Sequence, residues 1–332
     1  TTAERTRFDH LKEIDLGYGV KGVGRFRVNI FQQRGSIRIV ARVISDKVPE
    51  IEDLNLPQVV LDVANRERGL ILVTGATGSG KSTTLAAMIQ HINLHKNKHI
   101  ITIEDPIEFL IRDHRSLISQ REIGLDTTTF AAALRAALRQ DPDVILIGEM
   151  RDKETIETAL VAAETGHLVF STLHTYDAQE TINRILAVFE PHQQLQVRRQ
   201  LAATLRAVIS QRLATRKDGK GVIPVIEIMV NNARIREMIE DPEKTNLITE
   251  AIETSAKETG MQSFDQSLLD LVFNKSISLK EALTLSNHPD DFYLKYTGIK
   301  SGHDQQNPVT QKGFDALPSF PGFDLDDDDH DD

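Results

Sequence analysis

The sequence predicts an α/β protein with a mainly parallel central sheet, preceded by a small sheet domain and followed by a helical array. Three observations carry this reading. Short apolar runs alternate with helical patterns from Gly69 to Thr172. A glycine-rich loop sits between the first such run and the first such helix. An alternating apolar and polar stretch precedes both.

In chain order, Gly24 to Ile44, "GRFRVNIFQQRGSIRIVARVI", alternates around a central "QQRG" turn, as a half-buried hairpin requires. Residues 1–45 are therefore assigned to a small N-terminal domain and 46–68 to a linker and helix, with the helix expected over Leu56 to Arg66. The core, 69–230, reads as strand Leu70–Thr74, helix Ser82–His91, strand His99–Glu104 and helix Phe130–Gln140. It continues as strand Val144–Gly148, helix Lys153–Glu164 and strand His167–Thr172. The strands "HIITIE", "VILIG" and "HLVFST" lack polar alternation, as expected where helices cover both faces of a parallel sheet. Beyond Pro191 the spacing of Leu201, Leu205, Val208, Ile209 and Leu213 predicts helix, interrupted by a strand in "GVIPVIEIMV". Residues 231–300 read as short helices, and 301–332 as a disordered acidic tail.

The chain has 332 residues, a formal charge of −10 and no cysteine, which removes disulfides and thiolate metal sites from consideration. The tail holds nine Asp against one Lys, so the remainder carries only about −2. No basic block of the kind that follows a nucleic-acid backbone is present, and none is expected as a partner. The polar N-terminus "TTAERTRFDH" and the lack of a long apolar run point to a cytoplasmic protein.

The segment "LILVTGATGSGKSTTLAAMIQ", Leu70 to Gln90, carries the chemistry. Gly75, Gly78 and Gly80 let successive N–H groups turn inward around an anion, and the following helix adds the positive end of its dipole. The pattern GxxxxGK[ST] in its strand–loop–helix context assigns Gly75, Ala76, Thr77, Gly78, Ser79, Gly80, Lys81 and Ser82, with the adjoining Thr83, to binding a nucleoside triphosphate. Lys81 meets the β- and γ-phosphates and the Ser82 hydroxyl meets Mg²⁺. Glu149 ends the strand "DVILIGEM" at the ligand-binding edge of the sheet, where it can order Mg²⁺, partly through water. Glu104, Asp105 and Glu108 cluster where Pro106 stops the preceding strand, and one of them can orient or deprotonate the attacking water. His174 emerges from "GHLVFSTLHT" near the γ-phosphate, with His167 at the other end of that strand. Arg25, Arg27 and Arg42, on the small sheet domain, are candidates for an arginine finger supplied by a hinge or by a neighbouring subunit.

From about Phe8 to Ile299 the chain resembles the secretion and pilus ATPases of bacterial type II and type IV pilus systems, closest to the PilT-type retraction ATPases of twitching motility. The resemblance rests on "GATGSGKS", the Asp box "TIEDPIE", the Walker B stretch "LIGEMRD", and the His box "TGHLVFSTLHT" followed by "TINRIL". It implies a RecA-like P-loop domain preceded by the C-terminal part of a PAS-like α+β domain. It also implies a homohexameric ring with ATP bound between the two, acting through a platform protein at the cytoplasmic face of the inner membrane. Glu108 becomes the catalytic glutamate, Glu149 the Walker B acid, His167 and His174 the His-box pair, and Arg184 a further nucleotide-site arginine. Arg25 and Arg27 in "RFRVN" become the N-domain arginines. The family's retraction-linked "AIRNLI" reads here as "RIREMI", where Ile235 and Ile239 share one helix face suited to packing and Arg234 is free to meet a partner. The alternatives are a pilus extension or type II secretion ATPase, whose members typically carry a four-cysteine zinc site absent here, and a nucleotide-gated accessory retraction protein with little turnover.

Overall fold

The computed structural model describes residues 2–45 and 47–298. The described residues divide into two units, 2–287 and 288–298. The expected acidic tail lies outside the described residues.

Helix α1 (Thr2–Leu11) leads into an antiparallel sheet of β1 (Glu13–Val20), β2 (Gly24–Gln33) and β3 (Ser36–Ile44), in that spatial order. The expected hairpin is β2–β3. Its turn is closed by Arg34 and Gly35, both at positive φ (49° and 78°), the two-residue geometry that matches strand twist. α1 and β1 extend the domain beyond what the alternation indicates, because Gly17 and Gly19 leave β1 without side chains at two positions. The small sheet docks through the residue that follows β3: Ser45 bridges Phe109, and the Leu110 N–H donates to the Ser45 carbonyl at 3.1 Å.

A turn of 3-10 helix (Glu52–Leu54) and α2 (Gln58–Ala64), started by Pro57, lead into the core. The core runs β4 (Gly69–Thr74), α3 (Lys81–His95), β5 (His99–Glu104), β6 (Leu117–Glu122), α4 (Phe130–Ala137) and β7 (Val144–Ile147). It continues as α5 (Lys153–Glu164), β8 (Leu168–Leu173), α6 (Ala178–Ala187), α7 (Pro191–Thr204), β9 (Leu205–Thr215) and β10 (Val222–Val230). The seven strands lie in the order β10-β9-β4-β8-β7-β5-β6, all neighbours parallel except β10 against β9. Every residue of β4, β7 and β8 is buried. Leu70 and Leu72 face one apolar layer, with Leu134, Ile156, Leu160, Ile182 and Leu201. Ile71 and Val73 face the other, with Val60, Val63, Leu85, Met88 and Phe170. Each such side chain contributes about 1.5–3 kcal/mol of burial.

The expectation of continuous helix through Leu213 is corrected: α7 ends at Thr204 and β9 begins at Leu205. Leu205 and Ile209 are four apart, which places them on one face of a strand as well as of a helix, and burial of β9 on both sides removes the polar alternation that separates the two. Strand β6 also went unread, since it is an edge strand of mixed polarity, "LISQRE".

The helical region comprises α8 (Ala233–Glu240), a 3-10 turn (Thr245–Leu247), α9 (Ile248–Thr254), α10 (Ala256–Thr259), α11 (Phe264–Phe273) and α12 (Leu279–Leu285). Asn232 caps α8, and Ser263 with Gln266 forms a capping box on α11. Ile235 and Ile239 of α8 are fully buried in the core, so this face packs inside the molecule. Arg234 donates to Thr254 Oγ1 at 3.0 Å rather than standing free. The second unit contributes α13 (Pro289–Tyr296).

Candidate active site

β4 delivers the loop Gly75–Gly80 to one edge of the sheet, and α3 starts at Lys81. The loop's tight path needs glycine at two positions. At Gly75 (φ +140°) a Cβ would stand 2.3 Å from the Gln211 carbonyl oxygen and 2.6 Å from Ser79 Oγ. At Gly80 (φ +91°) it would stand 2.6 Å from Gln211 Nε2. Gln211 thus backs the loop from β9. Its Oε1 also accepts the Thr84 hydroxyl at 2.8 Å, tying α3 to the same support.

Lys81 is buried, and its Nζ donates to the carbonyls of Gly75 and Ala76 at 2.9 Å each. Burial pushes its ammonium below its ordinary value, opposed by the carboxylates of Glu149 and Glu108, which places both acids within electrostatic reach of the loop lysine. Ser79 Oγ is buried without a hydrogen-bond partner, while Ala76, Thr77 and Gly78 are exposed at the loop's rim. Ser82 and Thr83 are half-buried on the first turn of α3, whose leading N–H groups have no intrahelical acceptor. An orphaned hydroxyl, a lysine resting on loop carbonyls and open helix N–H groups form a donor set suited to a polyphosphate.

Three strand ends supply the surrounding groups. β7 ends just before Glu149, whose Oε1 pairs with Arg151 Nε and lies 3.4 Å from His174 Nε2 at the end of β8. Arg151 also feels Asp105. β5 ends in Glu104, whose Oε1 accepts from Thr102 Oγ1 (2.6 Å) and Gln120 Nε2 (3.1 Å). Burial pushes its carboxyl above the usual range, against these bonds and one from the backbone of Glu108. Glu108 itself is exposed, on the loop that follows.

Glu149, Arg151, His174 and, from α6, Arg184 line a cavity of about 430 Å³ with Met150 and Leu173. His167 is not brought to this cavity: it lies at the opposite end of β8, its Nδ1 2.9 Å from the Ala162 carbonyl. Arg25 and Arg27 stay on β2. Arg25 extends beside Gly17 of β1, and Arg27 Nε is 3.9 Å from Asp15 Oδ1; neither bonds the loop of its own chain among the described residues.

Behind the loop runs a buried polar chain. Thr74 Oγ1 donates to Ser210 Oγ at 3.1 Å, Ser210 bonds Glu227, and Glu227 accepts the Ala178 N–H at 2.8 Å at the start of α6. Burial pushes the Glu227 carboxyl up to about 7, with Asp177 adding to it. Arg212 lies near this carboxyl. Its guanidinium stands 4.0 Å from the centroid of the Phe264 ring and donates to the Leu285 carbonyl and Asn287 Oδ1. Gln211, Ser210, Glu227 and Arg151 were not singled out from sequence. Only Arg151, two residues past a strand-ending acid, lay within a readable motif, the stretch "LIGEMRD".

Residues 21–284 match the family model described as type II/IV secretion system protein. The chain is 47% identical over 289 residues to the type IV pilus retractation ATPase PilT of Pseudomonas aeruginosa, covering 87% of this chain and 83% of that protein. It is 48% identical over 269 residues to a twitching motility protein of Neisseria gonorrhoeae, covering 81% and 71%. The crystal structure of the pilus retraction motor PilT with bound ADP superposes with a TM-score of 0.81 at 47% identity, covering 88% of this chain and 82% of that one. The chain belongs to the type II/IV secretion system protein family.

Proposed function

We propose that this chain hydrolyses ATP to drive type IV pilus retraction, as one subunit of a homohexameric motor. The observation that carries the reading is the glycine loop with its buried lysine, Lys81 resting on the Gly75 and Ala76 carbonyls beside the orphaned Ser79 hydroxyl, at the sheet edge where Glu149 and His174 meet. Relatives named for pilus retraction and twitching motility, matched over most of both chains, support the retraction assignment.

The loop N–H groups from Ala76 to Thr83 and the α3 dipole hold the phosphates, and Lys81 leaves the loop carbonyls to meet them. Glu108, exposed beside the loop, orients the attacking water and accepts its proton. Glu104 is a poorer base in this arrangement, since Thr102, Gln120 and the Glu108 backbone occupy it; it holds the segment that presents Glu108. Ser82 and Glu149 would hold Mg²⁺, which supplies charge neutralisation at the phosphates when bound. His174 and Arg184 flank Glu149 and respond to charge at its carboxylate. Arg25 and Arg27, on the PAS-like sheet, complete the site of an adjacent subunit, and His167 supports the strand that carries His174.

Among the described residues no helix is long and apolar enough to cross a membrane. We place the ring at the cytoplasmic face of the inner membrane, engaged through a platform protein. The test is twofold: ATP turnover by the purified chain, and restoration of twitching in cells lacking their retraction ATPase. Turnover with restored twitching supports the reading, whereas restored pilus extension without retraction would assign the chain to the opposite stroke.

A further inference from the structure

A second basic pocket lies at the other edge of the sheet. β4 and β9 begin there and β10 ends there, so it is separated from the P-loop by the length of β4, about 20 Å. The pocket encloses about 540 Å³ between Arg66 (after α2), Arg206 (on β9), Arg236 (on α8) and Asn231, with Glu240 as its one lining acid. That volume is within the range of small-molecule sites.

Each of these groups is poised differently. Arg206 is built in: its Nε donates to the Arg68 carbonyl at 3.1 Å, and its Nη1 to the carbonyls of Ala203 (2.9 Å) and Leu205 (3.2 Å). Gly69 leaves room for it, since a Cβ there would stand 2.6 Å from Arg206 Cγ. Burial and the positive charges of Arg68, Arg236 and Arg66 all push the Arg206 guanidinium below its ordinary value, so cations converge here without matching anions. Arg66 and Arg236 are exposed and make no side-chain hydrogen bond or ion pair among the described residues. Asn231 is the neutral member. Its Nδ2 donates to the Ala202 and Leu205 carbonyls at 2.8 Å each, which fixes the amide and leaves its buried Oδ1 without a partner.

Guanidinium groups match phosphate oxygens in fork geometry, and an orphaned amide oxygen calls for a donor such as a hydroxyl or exocyclic amine. We propose that this pocket is a second ligand site, for a soluble phosphorylated small molecule of nucleotide size that pairs its phosphate with Arg66, Arg206 and Arg236 and gives a hydrogen bond to Asn231 Oδ1. Its ligand touches the first residues of β9, whose middle carries the Ser210 and Gln211 that back the P-loop.

The probes are GDP and inorganic pyrophosphate, titrated calorimetrically into the full chain carrying Lys81→Ala, which weakens the first site. One GDP per chain, bound at least about tenfold tighter than pyrophosphate, is the expected result, since pyrophosphate lacks the base and ribose whose N–H and O–H groups would meet Asn231 Oδ1. Arg66→Gln and Arg236→Gln, both surface changes checked by melting temperature, should each weaken GDP binding about tenfold. GDP affinity unchanged in both variants would overturn the proposal. So would sedimentation with phosphatidylglycerol vesicles in the absence of any soluble-ligand binding, because the anion recognised would then be a lipid surface.

Discussion

His174 Nε2 lies 3.4 Å from Glu149 Oε1, joining the ends of β8 and β7 at the edge of the sheet that carries the P-loop. Because Arg151 also pairs with Glu149, loss of the imidazole leaves the carboxylate held. His174→Ala is therefore expected to lower kcat about tenfold while ATP affinity changes less than about threefold, in keeping with loss of one positioning contact. Steady-state kinetics paired with equilibrium nucleotide binding reads both.

Gln211 supports the P-loop from β9 although 127 residues separate it from Thr84. Gln211→Ala removes the acceptor of a buried hydroxyl and the group packed beneath Gly80. It should lower stability by about 1–3 kcal/mol and weaken nucleotide binding several-fold. Chemical denaturation with and without ADP separates the two effects.

Glu227 makes the fold pH-sensitive. Its carboxyl is pushed by burial from the ordinary carboxylate range up to about 7, so the folded chain keeps a proton that the unfolded chain releases in this window. Stability is then lost as pH rises from about 4.5 to 7, by ~3 kcal/mol if no other group opposes it. Glu227→Gln keeps an acceptor for the Ala178 N–H and should flatten that slope and raise the melting temperature at pH 8. An unchanged slope would assign the carboxyl an ordinary titration.

The parallel core was legible because its strands are continuous apolar runs punctuated by glycine loops, and the P-loop because its residues are contiguous. What joins segments distant in sequence was not. Gln211 and Ser210 sit on a strand whose leucine spacing reads equally as helix, and Glu227 lies in an apolar run where one acid carries no periodic signal. Sequence pairs His167 with His174 through a shared motif, yet a strand separates its two ends, and six residues of β8 carry them to opposite edges. Ile235 and Ile239 were read correctly as one face; that the face is interior depends on α7 and α9 packing over it.

Arg25 and Arg27 remain on the small sheet and bond no part of their own P-loop among the described residues. Mixing Arg27→Ala chains with Lys81→Ala chains should restore turnover that neither has alone, because some interfaces then pair an intact arginine with an intact loop. Rings shown by mass to contain both chains yet lacking activity would place the arginine's action within its own subunit.

The central claim is that Lys81 holds the nucleotide and Glu108 acts on water. ATP affinity and single-turnover hydrolysis, measured on Lys81→Ala and Glu108→Gln, test it most directly. The account predicts that Lys81→Ala loses at least about tenfold in affinity, while Glu108→Gln binds ATP within about threefold of the parent and hydrolyses it about 10²–10³-fold more slowly. Hydrolysis at the parental rate by Glu108→Gln would contradict it and move the base to Glu104.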